Sequence, residues 1–562
     1  MRGSATRGAA SLVWWVATLA SAWGVAHASG AATATADGVR PAGVPALTAS
    51  GSRDTVVLEG RPIARIEIES RDIFEPVPPG RMSGLFRVAD ALHVRTRPAT
   101  IRSHVLLRPG GPWSDARALE SERDLRGMDI FDSARIRGRA SGDSVVVRVE
   151  THDAWTTNPE FTLEHGGGRT FGSFRFSERN LMGRAQEVGV SYRSDPSGIS
   201  RAIELADPGV RGTRVQVAGS ASEGSAGTMQ SARVELPFYA EDAPYSFGFQ
   251  LGRARTTAHL FGGGAELASF ARHTDGATAW FGAGRRFGET IGRLTGSLFV
   301  LDRRFGDSAL EPGAPADFGG TQERLKLRRL AIEGVLWHPD FRERAAVEQL
   351  DGIEDYDLGP SAVVAVGFSP VALGGSEDEG YVAARLNAGA DAGPAGFGWL
   401  RCSFSSRLPS GVAEGSGRVE ARWVNQSVPR QTLVVAALTA AHWGAARDQQ
   451  LVVGGLSGLR AHSVYALSGE RLWRLNAESR WVIRRNIQHL LSVGVAAFWD
   501  AAHMRGPGSG DAPWQHDAGF GLRLGFPRSA LDHVARFDVA WPITSLDGRH
   551  AMVFSFGSSQ GF

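Results

Sequence analysis

The sequence predicts a mainly β chain: a 16-stranded antiparallel transmembrane β-barrel preceded by one small α/β domain of β-α-α-β-β order. Three observations predict it. From Glu160 to Phe562, short segments alternate apolar with polar residues, separated by Gly, Asp, Ser and Pro, and period two marks strands. In many of these segments an apolar face opposes a charged one and aromatics lie near the ends, as a wall between lipid and a wet lumen requires. No helical segment interrupts the series, and beyond the N-terminus no run of about 18 apolar residues is available for a spanning helix.

The stretch Gly454–Trp481 shows the pattern most clearly. A glycine-rich loop carries one long cationic arm, Arg460. The segment after it places Trp473, Leu475, Ala477 and Trp481 on one face and Arg474, Asn476, Glu478 and Arg480 on the other. An arginine on a loop before such a strand can fold back to the lumenal carboxylates. The competing reading is a surface hairpin of a soluble β-protein, with the polar face simply solvated.

The chain has 562 residues, more than one ordinary domain. Its net charge of +2 gives no drive towards nucleic acid. Lys326 is the only lysine, a bias read as genomic composition. The single cysteine, Cys402, excludes an internal disulfide, a cysteine-based zinc site and an iron–sulfur cluster held by one chain.

Residues 1–28 read as a secretory signal: Arg2 and Arg7, the apolar run Ser11–Val25, then the small-x-small site Ala26-His27-Ala28, with cleavage after Ala28. Residues 29–56 hold few large apolar groups and read as a flexible linker. Residues 57–153 read as the α/β domain. Ile66 and Ile68 alternate with charged residues in a first strand, and Pro76–Gly80 breaks it. Thr100–Leu107 is a short helix. Ser114 caps a second helix, with Asp115 in its first turn and Gly127 at its end. Phe131–Arg139 and Ser144–Glu150 are strands around a turn at Ser141–Asp143.

Residues 154–562 read as the barrel. At about ten residues per strand plus connections, some 400 residues suggest roughly 16 strands, an even number. Val419, Ala421 and Trp423 oppose Arg418, Glu420 and Arg422. Phe520, Leu522 and Leu524 oppose Gly519, Gly521 and Arg523. Phe537, Val539 and Trp541 oppose Arg536, Asp538 and Ala540. Around Arg328-Arg329 the phase flips, which suggests a bulge or break. The chain ends on Phe554, Phe556 and Phe562, aromatics of a closing strand.

Two sets of motifs resemble one family. Gly110–Ser114 and then Leu125–Ile136, with its Phe-Asp-Ser, resemble the second half of a POTRA domain. That module precedes barrels of the outer-membrane assembly and translocation superfamily, of the BamA, TamA and FhaC type. In the barrel, Phe176–Gln186 resembles the first-hairpin pattern F-x-(D/E)-x-N-L-x-G-x-G, and Asp207–Arg214 the next turn. Ile353–Gly359 resembles a mid-barrel strand start. Gly458, Leu459, Arg460, Ala461 and His462 resemble the sixth-loop motif (V/I)-R-G-(F/Y). Phe498–Ala502 resembles F-x-D-x-G. The resemblance implies that Arg460 lies inside the barrel against Asp500, with Glu478 as a second acceptor. It departs from the pattern at Ala461, His462 and Ala502, which crowd the place where loop meets strand.

No Gly-x-Ser-x-Gly elbow, His-Glu-x-x-His or Walker loop is present, so no catalytic residue, metal ligand or cofactor site is expected. His338 beside Asp340, and Asp532 beside His533, read as chance pairs, and Glu354, Asp355 and Asp357 as a hydrated rim rather than a cation site. The resemblance implies insertion or translocation of proteins at the bacterial outer membrane, with the POTRA domain in the periplasm. The implied partners are unfolded outer-membrane or secreted client proteins, outer-membrane lipids and periplasmic accessory proteins, without nucleic acid. The weak seam this needs is expected near Gly519, Gly521 and Gly525 and the chain end Gly557–Gly561. The alternative is a channel, lipid-export or surface-antigen barrel of the same architecture.

Overall fold

The computed structural model describes residues 58–562 apart from 167–168, 345, 351–352, 394–395, 456, 508, 530–533, 545–550 and 558–562. The signal region with Ala26 and Ala28, the linker, Asp532, His533 and Phe562 therefore lie outside the described residues.

The N-terminal unit runs β1 (Ile63–Arg71), α1 (Ser83–Leu92), α2 (Pro98–His104), α3 (Asp115–Arg126), β2 (Phe131–Ser141) and β3 (Ser144–Asp153). Its sheet order is β1-β3-β2, with β1 parallel to β3 and β2 antiparallel to it. A parallel pair needs a long crossover, and the helices supply it. They pack Ile101 and Leu125, with Leu107 of the connection between them, against Ile63, Val147 and Val149 of the sheet. Helix α3 starts after Ser114 and stops at Gly127. Helix α1 was not foreseen. Its start holds Ser83 and Gly84, poor helix formers, and no side chain caps it. Tertiary packing holds it instead: Phe86 stacks on Phe74 at 4.4 Å.

The rest of the chain is a closed antiparallel barrel. Its wall is β4 (Thr157–Gly166), β5 (Arg169–Leu181), β6 (Gln186–Asp195), β7 (Gly198–Asp207), β8 (Gln216–Gly224), β9 (Gly227–Leu236), β10 (Tyr245–Gly262), β11 (Ala265–Phe287), β12 (Thr290–Phe305) and β13 (Glu323–Trp337). It continues through β14 (Ser361–Ser369), β15 (Glu379–Asp391), β16 (Gly396–Leu408), β17 (Ala413–Asn425), β18 (Gln431–Trp443), β19 (Arg471–Ile487), β20 (Leu491–Gly506), β21 (Gln515–Gly525), β22 (Val534–Pro542) and β23 (Val553–Gly557). Among the described residues the wall thus has twenty strands, not the expected 16. The sequence estimate allowed too much chain per strand. The first barrel half turns through two-residue links such as Gly263-Gly264, both at positive φ (59° and 77°), the backbone of the tightest hairpins.

The outer wall is apolar. Phe249, Leu294, Ile332, Val366, Leu400 and Phe520 stand exposed on it. The expected bulge at Arg328-Arg329 is absent: β13 pairs with β12 in unbroken register. What changes is polarity. Towards the end of β13 that begins the strand, Leu325 and Leu327 turn inward onto Phe299 and Leu301, while Arg328 turns outward to Asp302 at 2.6 Å. A strand that continues past the hydrocarbon has a wet outer face and a packed inner one.

The strands alternate in direction, so every second connection lies at the mouth where the N-terminal unit sits. That unit grips this near mouth at many points. Arg97 N–H donates to Gly183 O (3.0 Å), Arg214 pairs with Asp124 (2.8 Å), Arg123 with Glu241 (3.0 Å) and Arg528 with Asp132 (2.6 Å). Phe86 meets His489 edge-on.

Ile332 is 56% exposed at mid-wall. Ile332→Arg is expected to cost roughly 2–4 kcal/mol, as a cation does on a lipid face. Lys326→Arg, nearer the strand end, is expected to be neutral. Guanidinium unfolding in phospholipid vesicles measures both. Equal, small effects would place Ile332 off the lipid.

Candidate lumenal site

The connection at residues 444–470, at the far mouth, does not stay outside. It folds into the lumen behind a short ladder of Leu451–Val453 with Leu467–Gly469. Leu459 packs among Leu438, Leu472 and Met504. Gly458, at φ 119°, has no room for a Cβ, which would lie 2.4 Å from the Arg474 side chain. Asn476 donates to the Gly458 carbonyl at 3.1 Å.

Arg460 is 1% exposed. Its Nε and one terminal nitrogen donate to both oxygens of Asp500, at 2.7 and 2.9 Å. The other terminal nitrogen donates to Glu478 at 2.7 Å and lies 3.5 Å from Asp538. The guanidinium plane covers the Phe498 ring at 3.4 Å from its centroid. A planar fork with two carboxylates and a ring face is geometry that Lys cannot reproduce. The residues that depart from the family motif also find places. Ala461 N–H donates to Asp517 at 2.8 Å, and His462 Nδ1 lies 3.4 Å from the same carboxylate. Ala461 packs on Phe498 and Ala540, and Ala502 is fully buried. The methyl groups fill space rather than displace the loop.

The network extends beyond Arg460, Asp500 and Glu478. Arg523 bridges Glu478 (3.2 Å) and Asp538 (2.5 Å), and Arg536 adds to Asp538 at 3.3 Å. Arg480 donates to Glu478 at 2.9 Å and reaches Glu348 at 3.4 Å, while Arg422 pairs with that same Glu348. The sequence reading singled out none of Arg422, Arg523, Asp538, Asp517 and Glu348 as site residues. Alternation does put Arg480, Arg523 and Asp538 on the lumenal face; it does not say which charges meet.

Gly519, Gly521 and Gly525 are not at the seam. They lie on β21, which pairs fully with β20 and β22. Gly521 makes room for the network instead, since a Cβ there would lie 2.0 Å from Asp538 Oδ1, and one on Gly519 would lie 2.4 Å from the Phe498 ring beneath Arg460. The closing joint is β23 with β4, where three residue pairs occur among the described residues, Phe554↔His165, Ser555↔Glu164 and Phe556↔Leu163. Phe554 is exposed on the wall, and Phe556 lies tilted against Phe537 with ring centroids 4.6 Å apart. The acids once read as a rim are engaged: Asp355 with Arg126, Asp357 with Trp337, and Glu354 with backbone N–H groups of Val347 and Glu348. His338 sits 3.7 Å from Glu289.

No family model matches the chain, and no curated protein does. Similar solved structures include BamA from Haemophilus ducreyi lacking POTRA domains 1–3, at 13% identity and TM-score 0.40, covering 89% of this chain and 85% of that one. CdiB from Escherichia coli aligns at 15% identity and TM-score 0.44, covering 90% and 77%. CdiB from Acinetobacter baumannii aligns at 10% and 0.42, covering 89% and 74%. Superpositions this loose carry no argument about this chain.

Arg460→Ala would leave Asp500 without its paired cation in a buried place and Glu478 one donor short. The expected loss is roughly 3–5 kcal/mol, the cost of breaking a buried charged pair from one side. Limited proteolysis of the folded barrel should then cut within residues 444–470, where the unaltered chain resists. Gly521→Ala should loosen the same loop without removing any charge. Uncut loops in both variants would refute the network as the loop's anchor.

Proposed function

We propose that the chain is an outer-membrane barrel of the assembly and translocation superfamily, with residues 57–153 as a single periplasmic POTRA domain and residues 154–562 as the barrel. Its task is to insert or translocate other proteins. The observation that carries this reading is a far-mouth loop drawn into the lumen by an arginine on strand carboxylates. It occurs in a closed, apolar-walled barrel whose other mouth carries the small α/β unit. The order of sequence motifs along the chain supports the same family.

Two features would do the work. The sheet of the α/β unit has β1 and β2 at its edges, and an open edge accepts an extended segment by β-augmentation. The joint between β23 and β4, three residue pairs among the described residues, can part, and its free edges then template a new strand. A lumen filled with paired charges weighs against a permanently open channel. The clients are unfolded outer-membrane or secreted proteins, met at the near mouth.

The test is to close the joint. Ser555→Cys and Glu164→Cys, which face each other in register, are combined with Cys402→Ser. Oxidised protein in proteoliposomes should lose client insertion, and reductant should restore it. Equal insertion in both states would remove the joint from the mechanism.

A further inference from the structure

A second element enters the lumen from the near mouth. The connection between β13 and β14 forms a hairpin, Phe341–Arg344 paired with Glu354–Asp357. Its described tip, residues 346–350, is buried throughout. Ala346 and Leu350 pack on Val482 and Val534, and Val347 packs with Val424 and Val434. Thr432 donates to the Ala346 carbonyl at 2.5 Å, and Arg480 donates to the Val347 carbonyl. Glu354 accepts the backbone N–H groups of Val347 (3.1 Å) and Glu348 (3.2 Å), which sets the tip's shape.

This hairpin is gripped at both ends by charge. At its base, Arg126 of α3 donates to both oxygens of Asp355 (2.8 Å each) and to Glu343 (3.2 Å). Arg123, one turn earlier on α3, lies over the Phe341 ring at 4.3 Å. At its tip, Glu348 pairs with Arg422 and Arg480. Arg480 also holds Glu478, and Glu478 holds Arg460 of the far-mouth loop. Two sets of ion pairs, bridged by the hairpin's own backbone and the Glu354 hydrogen bonds, thus join the N-terminal unit to the loop at the opposite mouth.

We propose that this hairpin, through its paired arms Phe341–Arg344 and Glu354–Asp357 and its described tip 346–350, is a second lumenal gate and the relay between the two mouths. Holding α3 on the barrel holds the hairpin tip in the lumen. The tip keeps Arg480 on Glu478, and that arrangement keeps the Arg460 loop seated. Movement of the N-terminal unit, as when it takes up a client, withdraws the hairpin and loosens the far loop. The relay deepens the insertion or translocation reading and rests on it for its purpose, but it is measured without any client.

The experiment reads the far loop directly. Leu459→Cys, at a buried loop position, is placed in a Cys402→Ser chain reconstituted in phosphatidylethanolamine–phosphatidylglycerol vesicles. Labelling by a membrane-impermeant maleimide is timed. Retained heat-modifiable migration confirms that each barrel is folded. Arg126→Gln and Glu348→Gln should each raise the labelling rate about five-fold or more, the usual lower range of coupling between distant sites. Asp132→Asn, which weakens a docking contact of β2 to Arg528 away from α3 and the hairpin, should leave it unchanged. No acceleration in either of the first two variants overturns the relay. Acceleration by Glu348→Gln alone overturns its link to the N-terminal unit. Equal acceleration by all three overturns the hairpin's special place, because general loosening would explain it. Absence of client insertion by the unaltered chain, with the relay intact, would instead strike only the functional reading.

Discussion

Glu478 is the point on which the interior depends. It faces Arg460 of the far-mouth loop, Arg480 of its own strand and Arg523 of β21, and it is fully buried. A buried charge is tolerated only when paired and hydrogen-bonded. The lumen meets that condition by balance. Arg422, Arg460, Arg480, Arg523 and Arg536 share it with Glu348, Glu478, Asp500, Asp517 and Asp538, all buried. Such a lattice adds little net stability over an apolar filling, but it fixes geometry, since any member that leaves strands its partners.

The width of the barrel explains why such a filling exists. A wall of this many strands encloses more space than side chains alone can occupy; barrels of 16–18 strands already leave an aqueous channel. Here chain segments supply the missing volume: a loop from the far mouth and a hairpin from the near one. Both carry irregular backbone beyond their short ladders, which membrane depth tolerates only inside protein. Strand residues meet their exposed groups, as Asn476 does for Gly458 and Thr432 for Ala346. Wall glycines such as Gly521 leave the room these segments need.

Much of this was legible from residue order, and the limits have physical causes. Period-two alternation marks each wall strand and its lumenal face, because side chains on a strand can point only two ways. Strand number was misjudged because turn length is set by local backbone conformation, and the two-residue links are cheap in sequence. The phase flip at Arg328-Arg329 reflects a change of solvent along a straight strand, which alternation cannot distinguish from a bulge. Arg460, Asp500 and Glu478 carry a local pattern. Glu348 carries none: it lies in a connection whose path is decided by the arginines it meets. Gly521 of β21 reads in sequence as weakness, although its meaning is steric and depends on the neighbouring Asp538.

On this account the folded barrel is closed by its own chain through paired charges. Single-channel recording of the full chain in a planar bilayer at neutral pH tests it most directly. The expected result is a baseline near zero, broken only by brief openings that lengthen as salt is raised and ion pairs are screened. A steady, large conductance independent of salt beyond bulk conductivity would contradict a lumen closed in this way.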